Sequence, residues 1–433
     1  MKRAALSILA ILAAPLAASA ADAPIAIRGG RVHTVSGGVI EDGTVLIANG
    51  RIAAVGQDVS IPPGATVVDA SGMHVYPGLI DGLTTLGLTE VGQGAPGTVD
   101  TTETGDVNPH AKAWVAVHAH SELIPVARAN GVTVALTAPA GGLISGQSAL
   151  IRLAGTTQDE LTVKAPVAMH VVFPSGRPAF DFATFFQDQP EKTFEERQKE
   201  RKQNQEKALK RLAGLLAEAK AYGEALQAAK AAGTPVEPDL PLEALAPAAR
   251  GELPVVMRAD AEDDIRAAVA FAGENGLKLI VAGGIEAWRC AELLKQKDVA
   301  VLVNVDRLPR RESDAYDAAY TNAARLQQAG VRFAIVSDDA SQSRNLPYEA
   351  AMANAFGLPA DAALRAITLS PAEIFGVADR MGSLEVGKAA NVFVATRDAL
   401  DHRALVTHVF VEGREQSLET RHTRLYEQFR KRP

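Results

Sequence analysis

His118-Ala119-His120 has the spelling of a metal-binding histidine pair. It runs into the amphipathic stretch SELIPVARANGV, and residues two apart on a helix diverge by about 200°, so it reads as a helix start and not as a ligand set. His170, inside AMHVVF, reads as a core histidine. Asp100, Glu103 and Asp106 in TVDTTETGDVNP are close enough to bind Ca²⁺ or to act as acid and base, and equally have the texture of a polar surface loop. Ser145 lies in the glycine-rich GGLISGQSA with no nucleophile-elbow pattern and no identifiable histidine partner, which argues against a serine hydrolase. Cys290, in the helical text GGIEAWRCAELL, reads as a small core residue. It is the only cysteine, so packing alone must hold the fold.

The elements that would position such groups alternate along the middle of the chain. Compact apolar runs at 75–80, 132–138, 149–153, 167–173, 253–257, 277–281, 299–303 and 333–337 are each followed by polar or helical text. Eight buried strands of this kind predict an α/β fold, a (β/α)8 barrel. Ligands bind at the C-terminal mouth of such barrels, which makes Asp260 after the fifth strand, and Asn304 and Asp306 after the seventh, pocket candidates. Residues 26–68 and 382–416 instead show short β-rich runs punctuated by Gly, Asn and Pro, the pattern of hairpins. A small β-sandwich built from both chain ends accounts for the two together. The expected organisation is a barrel over 75–381, the sandwich over 21–74 and 382–417, and a tail over 418–433. A highly charged helical insertion interrupts the barrel over 191–250; its 191–230 portion reads as a lid or partner arm, or as a solvated surface helix.

Several segments carry a resemblance. Residues 75–82 read VYPGLIDG, residues 130–134 NGVTV and residues 331–338 VRFAIVSD, and from Leu358 the chain runs LPADAALRAITLSPAEIFGVADRMGSLEVGKAANVFV. In this order the segments resemble the first, second and eighth barrel strands and the closing segment of the metal-dependent amidohydrolases. The resemblance implies one or two divalent metals, zinc for example, at the barrel mouth, activating water for hydrolysis. It also implies that Asp338 is the eighth-strand aspartate that serves as acid and base. Where the family has His-x-His on the first strand, this chain has Leu83 and Thr85, and neither is a credible zinc ligand. Where the fifth strand would offer histidine LPVVMRAD offers Arg258, and where the sixth would offer another LIVAGG offers Gly283 or Gly284. Lys164, the nearest lysine for a carbamylated bridge, precedes its strand. If Arg258 points into the mouth, its fixed charge can pair with Asp338 where a metal would sit. The expected site is therefore Asp338 as the catalytic group, with Arg258, Asp260, Asn304, Asp306 and Thr85 around a small-molecule pocket and no metal ligands.

Residues 1–20 read as a secretory signal: Lys2-Arg3, an apolar core, and Ala18-Ser19-Ala20 as the cleavage site. Cleavage after Ala20 would leave a periplasmic or secreted protein with no membrane anchor and shift the formal charge from −7 to −9. That balance disfavours nucleic acid and anionic lipid as partners. The sequence supports two functional classes: an exported family hydrolase acting on carbon–nitrogen bonds, and a non-catalytic relative that binds a ligand. The second could assemble with itself or with an active homologue.

Overall fold

The computed structural model describes residues 23–92, 95–176 and 193–432; the signal-like segment 1–20 lies outside them. The chain begins with β1 (Ile25–His33), β2 (Val39–Ala48), β3 (Arg51–Gly56), β4 (Thr66–Asp69) and β5 (His74–Pro77). It continues through β6 (Leu79–Thr84), β7 (Val132–Thr137), β8 (Ile144–Gln147), β9 (Ala149–Arg152), β10 (Thr162–Lys164) and β11 (Met169–Val172). Next come β12 (Val255–Ala259), β13 (Leu279–Gly283), β14 (Ala300–Val303) and β15 (Phe333–Ile335), and the chain returns with β16 (Val392–Ala395), β17 (Val406–Val411) and β18 (Arg414–Glu415).

The two ends share one eight-stranded sheet, ordered β18-β17-β16-β5-β1-β2-β3 with β4 on β1. Alternate residues of these strands, among them Ile27, Val45, Ile47, Val392 and Phe410, bury a core of their own. The expected first barrel strand, 75–80, divides at Pro77-Gly78: β5 belongs to the end sheet and β6 opens the next one. Asp81, which directly follows the apolar run 75–80, therefore stands in the middle of β6. Gly78 occupies the break because a Cβ there would come within 2.1 Å of Thr133 Oγ1.

The middle of the chain forms two further mixed sheets, ordered β10-β9-β7-β6 and β15-β14-β13-β12-β11-β8. The strands from β11 to β15 are parallel neighbours, as β6 and β7 are. The expectation of eight parallel strands fails at the third. Here β9 runs antiparallel to β7, and β8 antiparallel to β11. The connection from β7 to β8 turns through Gly141 and Gly142, both at positive φ, and is too short for the crossover a parallel neighbour requires. None of the three sheets closes through its own strand ladder. The two middle sheets nevertheless meet, because Asp338 N–H donates to the Leu83 carbonyl at 2.9 Å, bringing the end of β15 against β6.

The period of two sorts each strand into two faces. Val255 and Met257 pack toward the helices, whereas Val256, Ile280, Ala282, Leu302, Ala334 and Val336 form a separate inner cluster. The charged insertion appears as a 39-residue helix, Phe194–Ala232, opened by a Thr193–Glu196 capping box and closed at Gly233 in the left-handed region. It is more than a solvated arm, since Leu212, Leu216 and Ala219 are buried in the main core. Arg211 also forks onto Asp106 with bonds of 2.6 and 3.1 Å. No helix among the described residues is long and apolar enough to cross a membrane.

Candidate functional site

Continuing the inner face one step past Val256 and Val336 brings Arg258 and Asp338 to the same end of the strands. They line a cavity of about 150 Å³ together with Thr84, Thr85, Ser145 and His170. A larger polar cleft of about 920 Å³ lies away from these strand ends, between the end sheet and the stretch after β9. The smaller cavity is the candidate site because the chain's chemistry-bearing side chains converge on it.

Arg258 forks onto Asp338: Nη1 donates to Oδ2 at 2.9 Å and Nη2 donates to Oδ1. The bidentate geometry is the strong form of a guanidinium–carboxylate contact. Burial works to lower the Arg258 pKa, but the Asp338 carboxylate outweighs it and the net direction is upward. Asp338 adopts φ +61°, a left-handed conformation uncommon for residues other than glycine. Arg307 adds a third contact, donating from Nη2 to Asp338 Oδ2 at 3.1 Å. The Asp338 side chain is 10% exposed, while Arg258 and Arg307 are 40% and 42% exposed.

The remaining expected site residues divide. Thr85 lines the cavity with Arg258 and Asp338. Asp260, Asn304 and Asp306 do not. Asp260 lies against the backbone of Gly283, where a Cβ would come within 2.2 Å of its Oδ1. Burial raises its pKa, with Arg258 and Arg310 acting in the opposite direction. Asn304 is buried and ties two strands, donating from Nδ2 to the Ser337 carbonyl at 2.9 Å. Asp306 is exposed, and it is its backbone N–H, with that of Val305, that is held, at 2.9 Å each by Glu349 Oε2.

Three features escape sequence reading. Glu349 projects from the helix Leu346–Ala355, and burial pushes its pKa up to about 7 against the two N–H bonds it accepts. Asp81 is fully buried and accepts from Ser337 N–H at 3.1 Å and Ser337 Oγ at 2.5 Å. Burial pushes its carboxyl up to about 6, and the Ser337 bonds restrain that rise. His170 is not a satisfied core histidine: it borders the cavity, and its Nε2 has no hydrogen-bond partner among the described residues. Burial, and then the neighbouring Arg258 charge, lower its pKa to about 3, so it is neutral. His118 and His120 are exposed in the turn before the helix Leu123–Arg128. Lys164 Nζ is spent on the Phe375 carbonyl at 2.7 Å. Cys290 is buried, with its thiol pushed up to about 11, first by burial.

The side chains at the strand ends are a poor fit for a divalent cation. Leu83 offers hydrocarbon, Thr85 a hydroxyl, and Arg258 a fixed positive charge already engaged with Asp338. Among the described residues no group of three or more His, Cys, Asp or Glu side chains is placed to hold a metal ion.

Comparison with known proteins gives this arrangement its lineage. The model of the amidohydrolase family matches residues 75–415. The chain belongs to the amidohydrolase family. Among curated relatives, amidohydrolase tasK of Hapsidospora irregularis is 24% identical over 404 residues, which is 86% of this chain but 39% of that protein. A dihydroorotase of Geobacter sulfurreducens is 49% identical over 55 residues, 13% of each chain. This chain thus spans well under half the length of these relatives. A crystal structure of an amidohydrolase from Thermotoga maritima MSB8 shares 26% identity with a TM-score of 0.78, covering 91% of this chain and 99% of that one. Molinate hydrolase, at 18% identity and a TM-score of 0.57, shares the fold. Membership of the amidohydrolase family supports a hydrolase at the family level, and together with the Thermotoga maritima structure it supports a TIM-barrel-like α/β architecture.

Proposed function

We propose that this chain is an exported amidohydrolase-family hydrolase that acts on carbon–nitrogen bonds of a small molecule, at the cavity over the strand ends, with the family's metal centre lost. The observation that carries this reading is the Arg258–Asp338 fork at the mouth. A guanidinium there supplies fixed positive charge toward a carbonyl oxygen, the electrostatic part of what a metal contributes in the family. Among the described residues Asp338 is the one carboxylate lining the cavity, and it is the acid/base group of the reading. A barrel closed between β15 and β6 frames the site.

One observation favours a second reading, a non-catalytic binding protein: both Asp338 oxygens already accept from guanidinium groups, so the carboxylate is committed to holding the two arginines. In that reading the exposed first half of the helix Phe194–Ala232 is the surface for self-association or for pairing with an active homologue.

The test uses protein recovered from the periplasm without a histidine tag, its mass showing whether the chain begins at Ala21. Elemental analysis after supply of zinc, manganese and iron is expected to show less than one tenth of an equivalent bound, and EDTA is expected to leave the melting temperature unchanged. Turnover of any member of an amide panel, abolished by Asp338→Asn, supports the hydrolase. Stoichiometric metal, lost in Asp338→Ala, overturns the metal-free site. Ligand binding with no turnover selects the second reading.

A further inference from the structure

The segment that follows β14 is fixed at both ends. At its base Val305 and Asp306 donate their backbone N–H groups to Glu349. Farther along, Arg311 Nε donates to Glu286 at 2.8 Å and Nη2 to Glu262 at 3.0 Å, and Arg289 pairs with Asp314. Between these anchors stands Arg307, which touches Asp338. A guanidinium has five N–H donors. Arg258 spends two on Asp338 and Arg307 spends one, and neither makes a further side-chain hydrogen bond to the described residues.

We propose that Arg258 and Arg307 form an anion clamp around Asp338 at the cavity, so that the ligand of this site is a small molecule bearing a carboxylate, with Arg307 as the specificity-determining residue. Asp338 holds the clamp in place when it is empty. An incoming carboxylate takes the uncommitted N–H groups of Arg307 and Arg258, whose planar forks match carboxylate geometry. Because the segment is fixed at both ends, little ordering is left for binding to supply. A cationic ligand meets two like charges at the same place. The clamp rests on the proposed site but not on turnover there: it names the ligand class for either a hydrolase or a binding protein.

Isothermal titration of the mature chain with acetate, benzoate and N-acetylglycine, and with the neutral N-acetylglycinamide, tests it. At least one acid should bind saturably and at least tenfold more tightly than the neutral amide, weakening as salt is raised. Arg307→Gln should weaken that binding at least tenfold. Arg332→Gln, which removes an exposed pair with Asp298 at the opposite strand ends, should not. Thermal melts establish that both variants are folded. Acids binding no better than the neutral amide, none binding at 10 mM, or an unaltered Arg307→Gln overturns the clamp. Hydrolysis of neutral amides with no acid binding leaves the proposed hydrolase standing without the clamp, and acid binding with no turnover does the reverse.

Discussion

Removing Arg258 leaves Asp338 at the mouth with only the single contact from Arg307. Breaking a buried pair costs roughly 3–5 kcal/mol, and solvent screening at a guanidinium 40% exposed reduces that to about 1–2 kcal/mol. Arg258→Ala should therefore unfold at lower urea by that amount, and Arg258→Ala/Asp338→Asn should recover part of it. A double-mutant cycle measures the coupling, and zero coupling would mean that the fork holds nothing together. Glu349 makes a separate prediction. Its carboxyl is pushed from 4.5 to about 7 by burial, so the folded chain keeps a proton that the unfolded chain releases. Its protonated form is neutral to stability below about pH 4.5; the cost accumulates as pH rises to 7 and is fully present above, at ~3 kcal/mol. Stability measured at pH 4.5 and pH 8 should fall less steeply in Glu349→Gln, which keeps an oxygen for the two N–H groups. Parallel slopes in the two proteins would contradict this. Arg258 and Asp338 were legible as a pair because each ends an apolar run and alternation fixes which way it points. Glu349 and Arg307 were not: one lies on a helix more than 40 residues beyond the backbone it holds, and the other in exposed charged text whose direction no period sets.

At the scale of elements, the apolar runs located β11 to β15 to within a few residues but said nothing about strand direction. A run buried on both faces looks the same read either way, and only the short connection through Gly141-Gly142 makes β8 and β9 antiparallel. Pro77-Gly78 was visible as an interruption of one strand, yet it separates two sheets. Gly78→Ala would force its Cβ into Thr133 and should cost about 1–3 kcal/mol in denaturant unfolding, with Gly78→Ser no better; an unaltered midpoint would mean that the contact relaxes freely. Along the helix Phe194–Ala232 the effect of substitution should depend on position. Leu212→Ala empties a fully buried site and should cost about 2–4 kcal/mol, whereas Lys199→Ala on the exposed first half should change stability by less than ~0.5 kcal/mol. Equal melting temperatures for the two variants would show that the helix is not seated in the core.

Across the whole molecule, both chain ends carry the same β-rich texture in the sequence, and one shared eight-stranded sheet joins them. That sheet has a temporal consequence. β5 lies between β1 and β16, so a strand from the first fifth of the chain waits for a partner more than 300 residues later. A ribosome releases the early strands long before the late ones exist. Until residue 395 has emerged, β5 presents an open backbone edge of the sort that invites pairing with another chain. The interval is set by the length of the intervening text, so a pause in synthesis anywhere between β6 and β15 prolongs the exposure, and a nascent chain arrested there should recruit holding factors that the finished protein no longer needs.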